Sequence, residues 1–328
     1  MNRRDTMVAL LTLGTAPLSC LAEQQTKLWR VGFLVPNRRP KDLSSERFGA
    51  FTQGMRELGY FEGKNLAIEW RFAEDRYERL SEFAAELLRL NSDLIVAAGT
   101  ASTRAAQKVT SKIPIVMVAV ADPVGDGLIK SLAHPGGNTT GLSIVSGDLA
   151  SKWLELALAV VPKLAQVGVL LNPANPSHIA TLKGVESAAR IANIRVLPAA
   201  ARTPPEIENA FASMTQGGVG AVVVQNESFL VDQMRQIAEL AIKYRLPSIT
   251  GRSEFAESGC LMSYGTNAFE NFRRAASYAD RIFKGAQPGD LPVEQPTIYE
   301  LVINLKTAKT LGISISQSLF ARSDRVIK

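Results

Sequence analysis

The sequence predicts an α/β fold made of two doubly wound, parallel-sheet lobes. The first observation is that buried apolar runs alternate with amphipathic helical runs, the order that builds a parallel sheet covered by helices on both faces. The second is that this alternation starts again near residue 165 with a set of similar size. The third is a strand-and-helix segment late in the chain, after a helix that could cap either sheet. Two sheets imply a cleft, and ligands of such sheets bind beyond the carboxyl ends of the strands.

The first set opens with the run KLWRVGFLVP, which is apolar, ends at Pro36 and predicts a buried strand. The helix after it has Phe48, Phe51, Met55 and Leu58 at the spacing of one helical face. There follow the strand NLAIEW, the helix RYERLSEFAAELLRL, the strand DLIVAAG, a helix from Thr100 to Val109, the strands IPIVMVAV and TGLSIV, and the helix LASKWLELALAVVP. This order predicts one complete sheet with its helices.

The second set opens with the strand AQVGVLLN and a helix in which Ile179, Leu182, Val185 and Ala189 share one face. The remaining elements are the strand IRVLPAA, the helix PEIENAFASMTQ, the strand GAVVVQN, the helix LVDQMRQIAELAIKY, the strands LPSIT and SGCLMSYG, and the helix AFENFRRAASYADRIFKG. The letters contain no tandem repeat, so the second lobe is predicted from the order of the elements alone.

The late segment DLPVEQPTIYELVINLKTAKTLGISI runs from Asp290 to Ile315. It combines an acidic turn with prolines, an alternating apolar run and a helical run that ends at Gly312. We interpret it as a crossover between the lobes followed by a strand and a helix. The chain then passes between the lobes more than once, which predicts a multi-strand hinge.

Residues 1–22 have the pattern of a secretory signal peptide. A basic start that includes Arg3 and Arg4 precedes an apolar stretch too short for a membrane span. Cleavage after Ala22 places small residues where a signal peptidase requires them. We therefore predict a periplasmic protein. Sec and twin-arginine export both remain open, and lipidation of Cys20 is the alternative to soluble export.

Composition and charge exclude several classes of protein. The chain has 328 residues, of which 46% are hydrophobic and 21% charged, and a formal net charge of +6. Its basic residues are scattered through the predicted helices and do not alternate with aromatic residues, so no nucleic-acid partner is predicted. The two cysteines, Cys20 and Cys260, cannot form a disulfide framework once the N-terminal segment is removed.

The letters carry no signature of catalysis, cofactor binding or metal binding. There is no GxxxxGK[ST] loop, and the run GLSIVSG lacks the second glycine of a nucleophile elbow around Ser143. The two histidines, His134 and His178, lie far apart. The glycine-rich run at 217–220 precedes a strand, whereas a dinucleotide fingerprint follows one. We therefore predict a protein that is not an enzyme, with no catalytic residue, no metal and no cofactor.

Polar residues and glycines stand at the carboxyl ends of the predicted strands in both halves. We predict that they line the cleft, because a ligand site needs hydrogen-bonding groups on both walls. The alternative for each residue alone is helix capping or a turn role. The candidate ligand-binding residues are Asn37, Gly99, Thr100, Ser102, Asp122, Asn172, Asn175, Gln225, Asn226, Arg252 and Tyr264.

Several segments resemble one protein family. FTQGMRELGYFEGKNLAIEWRFAE, IPIVMVAVADPVGDGLIKSLAHPGGNTTGLS, GCLMSYG and the late segment look like the ABC-transporter substrate-binding proteins related to the tryptophan-binding component. The resemblance implies the fold of type I periplasmic binding proteins, with two lobes, three crossovers at the hinge, and a ligand enclosed as the lobes close. We accordingly assign residues 28–163 and 266–294 to lobe 1, and residues 164–265 and 295–328 to lobe 2.

The resemblance also implies a function, the capture of a small molecule outside the cell and its transfer to the permease and ATPase of an ABC importer. Contact with the membrane is then through the permease, or through a lipid anchor at Cys20. An extracytoplasmic sensor domain that presents its ligand to a receptor is the alternative from another class. The family analogy places strand-end groups such as Thr100, Asp122 and Asn226 around the ligand.

The candidate residues suggest an amino acid as the ligand. Thr100 and Ser102 at a helix N-terminus suit a carboxylate, Asp122 suits an ammonium group, and Tyr264 offers a ring for stacking. The resemblance favours an aromatic amino acid. The alternative is that Asp122 caps the following turn and Tyr264 packs in the hinge, which leaves the cleft to another small polar or aromatic solute.

Overall fold

Two sheets form the centre of the molecule. The computed structural model describes residues 27–44, 47–144, 146–175, 177–296 and 298–328. The predicted signal peptide and Cys20 lie outside the described residues. One sheet has the order β2-β1-β3-β4-β5 and the other β12-β11-β10-β9-β8-β6-β7. The strands are Trp29–Val35 (β1), Leu66–Phe72 (β2), Leu94–Ala98 (β3), Ile115–Val120 (β4), Thr139–Ser143 (β5), Gln166–Leu171 (β6), Arg195–Ala200 (β7), Ala221–Val224 (β8), Ser248–Thr250 (β9), Met262–Gly265 (β10), Glu300–Asn304 (β11) and Arg325–Ile327 (β12).

Helices cover both faces of each sheet. They are Arg47–Glu57 (α1), Leu80–Arg89 (α2), Gly99–Val109 (α3), Ser146–Val160 (α4), Ser177–Ile191 (α5), Pro204–Gln216 (α6), Ser228–Asp232 (α7), Met234–Lys243 (α8), Ser253–Glu257 (α9), Ala268–Phe283 (α10), Leu305–Leu311 (α11) and Gln317–Ala321 (α12). Short 3₁₀ turns lie at Tyr77–Arg79 and Pro288–Asp290.

Each sheet has a hydrophobic core on both faces, because successive side chains of its central strands point to opposite faces. In β1, Phe33 packs on one face with Phe51 of α1, their ring centroids 5.2 Å apart. The next residue, Leu34, belongs to the cluster on the other face with Leu87 of α2. In the second sheet, Val169 of β6 lies in the cluster on one face and Leu170 in the cluster on the other. Successive side chains of a strand point to opposite faces, so a strand covered on both faces is apolar throughout.

The predicted boundary between the lobes at residue 163 differs from the packing. Helix α4 lies within the predicted lobe 1, but its Trp153 belongs to the same buried cluster as Val167 of β6. The Trp153 indole Nε1 donates a hydrogen bond to the carbonyl of Tyr264, 2.8 Å away in lobe 2. The chain therefore leaves lobe 1 directly after β5. A helix that follows a strand does not have to cover the same sheet, and the apolar pattern of α4 is the same for either sheet.

The chain returns to lobe 1 after β10 and then crosses back. Helix α10 packs on the first sheet, with Phe272 in the same buried cluster as Phe33. Strand β11 then pairs antiparallel with β10, whereas β12 is parallel to β11. The sheet of lobe 2, predicted to be parallel, thus contains two reversed strands, β11 and β12. The reason is topological: β10 ends at the hinge, and β11 begins there because the chain enters it from lobe 1.

The crossover segments lie side by side. Glu294 pairs with the end of β5 through hydrogen bonds from Glu294 N to the carbonyl of Gly141, at 3.0 Å, and from Ser143 N to the carbonyl of Glu294, at 2.9 Å. The rings of Tyr264 and Tyr299, in the second and third crossovers, stack with centroids 5.6 Å apart. The late segment is thus a crossover that pairs with the first one, followed by β11 and α11.

Candidate ligand-binding site

A cavity of about 110 Å³ lies between the two lobes at the carboxyl ends of the strands. Each lobe contributes residues that directly follow its strands, and the second crossover with the start of α10 forms a third wall. The polar and aromatic lining includes Asn37, Arg47, Tyr77 and Thr100 from lobe 1, Asn175, Asn226, Glu227, Ser228 and Arg252 from lobe 2, and Thr266, Asn271 and Phe272 from the third wall.

Helix α3 presents its N-terminus to the cavity. Gly99, its first residue, has φ of +77°, a left-handed conformation that disfavours any residue with a Cβ. Ala98 at the N-cap provides no side-chain hydrogen bond, so no capping side chain satisfies the amides of the first turn. Gly99, Thr100 and Ala101 all line the cavity. A helix N-terminus without a side-chain cap, together with the helix dipole, makes this wall suitable for a carboxylate.

The hydroxyl of Thr100 already has a partner. Its Oγ1 donates to Asp126 Oδ2 at 3.3 Å, and Arg104 Nη2 donates to the backbone carbonyl of Asp126 at 2.8 Å. Burial raises the pKa of the Asp126 carboxyl. Thr100 therefore offers a ligand its backbone amide and a hydroxyl lone pair.

Lobe 2 offers an unpaired acceptor. Asn226 Oδ1 is buried and has no hydrogen-bond donor among the described residues. The Asn226 amide packs so closely on Gly251 that a Cβ there would lie 2.0 Å from Nδ2 and would displace the Asn226 side chain. Arg252, beside it, forms an ion pair with Glu254. Burial alone would raise the pKa of Glu254, but the charge of Arg252 holds it at about 2.

A buried cation stands in the opposite wall. Arg47 is 8% exposed, and its guanidinium lies 4.6 Å from the ring centroid of Phe48. Its Nη2 donates to Asn37 Oδ1 at 2.9 Å. Phe272 lines the cavity beside it and extends into the core of lobe 1. The wall of lobe 1 thus combines positive charge with an aromatic face.

Polar contacts join the lobes next to the cavity. Asn37 Nδ2 donates to the carbonyl of Ser228 at 2.9 Å, and the Tyr77 hydroxyl donates to Glu227 Oε2 at 2.5 Å. Glu227 Oε1 also accepts from Leu230 N at 2.8 Å as the cap of α7. Burial raises the pKa of both Glu227 and Tyr77. These contacts hold the two lobes together over the cavity.

The structure brings together part of the predicted site. Six predicted residues line the cavity: Asn37, Gly99, Thr100, Asn175, Asn226 and Arg252. The other five, Ser102, Asp122, Asn172, Gln225 and Tyr264, are not among the residues that form its walls.

Asp122 and Tyr264 occupy the positions expected from their structural alternatives. Asp122 is exposed, and its Oδ1 accepts from Gly125 N at 2.8 Å, which caps the following turn. The Tyr264 ring packs against Tyr299 in the hinge. The geometry therefore gives no support to Asp122 as the contact of an ammonium group, or to Tyr264 as a ring stacked on the ligand.

The remaining three residues lie in the protein interior. Ser102 is fully buried on α3. Asn172 N donates to His178 Nδ1 at 2.9 Å, and Asn172 Oδ1 accepts from Ala174 N at 3.0 Å. Gln225 Nε2 donates to the carbonyl of His178 at 3.4 Å. Asn172 and Gln225 thus support the loops that carry Asn175 and Asn226.

The sequence analysis missed Arg47, Tyr77, Glu227 and Phe272. One available signal was Arg47 at the start of α1, where the helix dipole disfavours a cation. Glu227 directly follows Asn226 and stands one residue before a short helix, the position of an N-cap. Tyr77 and Phe272 carried no signal, because both fit the apolar pattern of a helix.

The described residues contain no group of three or more His, Cys, Asp or Glu side chains placed to hold a metal ion. Among the helices of that part of the chain, none is long and apolar enough to cross a membrane. Burial lowers the pKa of His178 to about 4, so this imidazole is neutral at physiological pH. Burial likewise raises the pKa of the Cys260 thiol to about 12.

Residues 41–327 match a family model described as ABC transporter substrate binding protein. Among curated proteins, the chain is 30% identical over 279 residues to the tyrosine-binding protein of Clostridioides difficile strain R20291. That alignment covers 85% of this chain and 79% of the relative.

Three solved structures share the two-lobed fold. A conserved domain protein from Vibrio cholerae superposes with a TM-score of 0.86 at 26% identity, covering 92% of this chain and 100% of its own. The ABC domain from Streptococcus pneumonia in complex with L-Trp gives 0.84 at 24% identity, covering 91% and 99%. The ligand-free, open structure of a Clostridium difficile substrate-binding protein with adhesive properties gives 0.65 at 24% identity, covering 92% and 99%.

Proposed function

Because the chain belongs to the family of ABC transporter substrate-binding proteins, we propose that it captures an aromatic α-amino acid outside the cytoplasm and delivers it to an ABC permease and its ATPase. The observation that carries the ligand class is a pair of complementary groups on opposite walls of one cavity. Lobe 1 presents a helix N-terminus without a side-chain cap, and lobe 2 presents the unpaired oxygen of Asn226.

These two groups suit the two ends of a zwitterion. The carboxylate of the ligand accepts hydrogen bonds from the amides that begin α3, in the positive potential of the helix and of Arg47. Its ammonium group donates to Asn226 Oδ1, and the Glu227 carboxylate in the same wall adds attraction. Hydrogen bonds that involve a charged group contribute about 1.5–3 kcal/mol each.

The apolar lining suits an aromatic side chain. Val118, Ile144, Leu149 and Phe272 line the cavity between the polar groups. Binding sites for small molecules commonly combine a mostly apolar surface with a few polar groups that fix the orientation of the ligand. The names of the relatives agree with this class, since one is a tyrosine-binding protein and another contains L-Trp.

The arrangement of the lobes supports capture by hinge closure. Asn37 and Tyr77 of lobe 1 are bonded to Ser228 and Glu227 of lobe 2 over the cavity. The chain also superposes better on the L-Trp complex than on the ligand-free, open relative. A ligand that contacts both lobes stabilises the closed population, and the crossover segments are the hinge.

Mass spectrometry of the small molecule that co-purifies with the natively prepared protein tests the ligand, together with a thermal-shift panel of amino acids. We expect L-tyrosine or L-tryptophan, and a stabilisation of about 2.7 kcal/mol at a hundredfold excess over the dissociation constant. A sugar, nucleobase or simple aromatic acid in the protein, with no response to any amino acid, would contradict the proposal.

Uptake of the labelled amino acid tests the transport role separately. Cells that lack this gene are expected to lose high-affinity uptake and to regain it with the native gene. Normal uptake in such cells, together with binding by the pure protein, would favour a sensor domain.

A further inference from the structure

Two carboxyl groups meet between the lobes, outside the cavity. Asp75 follows β2 in lobe 1, and Asp232 ends α7 in lobe 2. Arg38 contacts both, since its backbone N donates to Asp232 Oδ2 at 3.0 Å and its Nε donates to Asp75 Oδ2 at 2.9 Å. Asn37 Nδ2 donates to Asp232 Oδ1 at 3.1 Å. Arg38 thus holds the carboxyl groups of Asp75 and Asp232 on the same residue, one from each lobe.

One oxygen of this pair has no donor. Asp75 Oδ1 is buried and has no hydrogen-bond partner among the described residues. The Asp75 side chain as a whole is 11% exposed. A buried carboxylate oxygen beside a second carboxylate is satisfied when one proton lies between them. Glu74 and Asp75 both have left-handed φ angles, of 55° and 61°, a strained turn that fixes the direction of the Asp75 side chain.

We propose that Asp75 and Asp232 form a proton-linked latch: closure of the lobes brings the two carboxyl groups together and takes up one proton, so the protein holds its ligand more tightly in acidic surroundings. This inference rests on the proposed closure of the lobes around a ligand. It adds a control of affinity by external pH.

The direction in which affinity changes with pH follows from the pKa of Asp75 in the two states of the hinge. In the closed state, burial and then the charge of Asp232 raise the pKa of Asp75 to about 7. In the open state Asp232 is removed and Asp75 gains solvent, so its pKa returns toward the ordinary value of about 4. Between these two values the closed state binds more protons. Affinity is therefore highest on the acidic side, falls as pH rises toward about 7, and levels off above that.

Other charged groups face Asp75 and act on the same equilibrium. Arg38 opposes the shift, because its charge and hydrogen bond favour the ionised carboxyl. Glu74, in the same turn, accepts from Arg39 N at 3.1 Å, a contact within lobe 1. Tyr77 and Glu227 form the neighbouring contact between the lobes, and the raised pKa of Glu227 acts in the same direction as that of Asp75. A variant at Asp75 is needed to separate the contribution of Asp75 from that of Glu227.

The test uses the Asp75→Asn variant of the full chain. An asparagine there donates permanently from its Nδ2 to Asp232 and still accepts from Arg38, so it imitates the protonated latch. Calorimetry with L-tyrosine, whose ammonium and carboxylate groups do not titrate between about pH 5 and pH 8, gives the affinity. Native protein should bind close to a hundredfold more weakly at about pH 8 than at about pH 5, because the pKa of Asp75 is about 7 in the closed state and about 4 in the open state. Two buffers of different ionisation enthalpy at about pH 6 should show uptake of close to one proton per ligand.

The Asp75→Asn variant should bind tightly at both pH values and lose the proton uptake that belongs to Asp75, which leaves only the contribution of Glu227. Glu74→Gln, which changes the adjacent carboxylate, should behave like native protein. A native affinity independent of pH, or equal proton uptake by Asp75→Asn, would overturn the latch.

Failure of both L-tyrosine and L-tryptophan to bind at any pH would contradict the proposed function and not the latch. A second measurement then uses the ligand-free protein. Energy transfer between two dyes, one attached to each lobe, reports the fraction of closed molecules. The closed fraction should rise on acidification in native protein and rise much less in Asp75→Asn, where only Glu227 takes up a proton. A native closed fraction that does not change with pH would overturn the latch.

Discussion

Asn226 and Asp122 occupy equivalent places after β8 and β4, but their surroundings give them different roles. Asn226 Oδ1 is buried without a donor in the described chain, on the wall of the cavity. Asp122 is exposed and caps a turn through Gly125 N. At the same position of a βα unit, Asn226 therefore faces the cavity, whereas Asp122 forms a hydrogen bond within its own loop.

Asn226→Ala should weaken amino-acid binding about tenfold to a hundredfold, because it removes a hydrogen bond to the ammonium group of the ligand. Hydrogen bonds to charged groups contribute about 1.5–3 kcal/mol. The stability of the ligand-free protein should hold or rise, because the substitution removes an unsatisfied buried oxygen. Calorimetry gives the affinity and urea unfolding gives the stability.

Asp122→Ala is the matched control for Asn226→Ala and should leave the affinity unchanged. An equal loss of affinity in both variants would return Asp122 to the role of an ammonium contact. Unchanged binding by Asn226→Ala would remove Asn226 from the site.

At the scale of elements, the pairing of β4 with β5 shapes the cavity wall. The register shifts between Met117 and Val120, and Ala119 within the shift has a φ of 59°. Val118 and Ala119 both line the cavity, which regular alternation along a strand would not allow. Gly141 of β5 permits this approach, because a Cβ there would lie 2.1 Å from the carbonyl oxygen of Met117.

Gly141→Ala should therefore destabilise the protein by at least about 3 kcal/mol, through backbone strain and overpacking between two strands. Gly127→Ala is the control, since Gly127 also has a positive φ, of 68°, but has no atom within 4 Å of an added Cβ. It should lose only about 1–2 kcal/mol. Urea unfolding compares the two, and equal losses would show that backbone strain, and not the clash with Met117, decides.

Elements with strong periodicity could be predicted from the sequence, and the choice between sheets could not. The strand around Phe33 and the helix around Phe51 follow from apolar spacing, which the burial of both residues requires. The packing of α4 on lobe 2 and the reversal of β11 depend on where the chain crosses the hinge. Local pattern carries no information about that crossing.

The same limit applies to the site. Asn37 and Asn226 could be predicted because parallel topology places strand ends at one edge. Arg47 and Phe272 could not, because their contribution depends on helices that reach the cavity from elsewhere in the chain. The orientation of Asp122, toward its own turn, also depends on loop geometry that strand position does not determine.

At the scale of the whole molecule, the balance between open and closed states depends on few contacts. Tyr77 and Glu227 form one of them, and the burial of this pair makes its hydrogen bond necessary for both partners. Tyr77→Phe leaves the Glu227 carboxylate without this donor in the closed state only. The substitution should therefore destabilise the closed state but not the open state. Ligand binding should weaken about fivefold to thirtyfold, or about 1–2 kcal/mol. Calorimetry and small-angle scattering at partial saturation measure the affinity and the closed fraction.

Tyr60→Phe provides the matched control, since the Tyr60 hydroxyl donates to Asp280 Oδ1 at 3.0 Å entirely within lobe 1. This variant should lower the free energy of unfolding but leave the affinity and the scattering profile as in native protein, because its hydrogen bond is present in both states of the hinge. Tyr77→Phe should show the reverse pattern. Equal affinities for the native protein and Tyr77→Phe would mean that closure is governed by the ligand and the hinge strands alone, without a contribution from the contact between Tyr77 and Glu227.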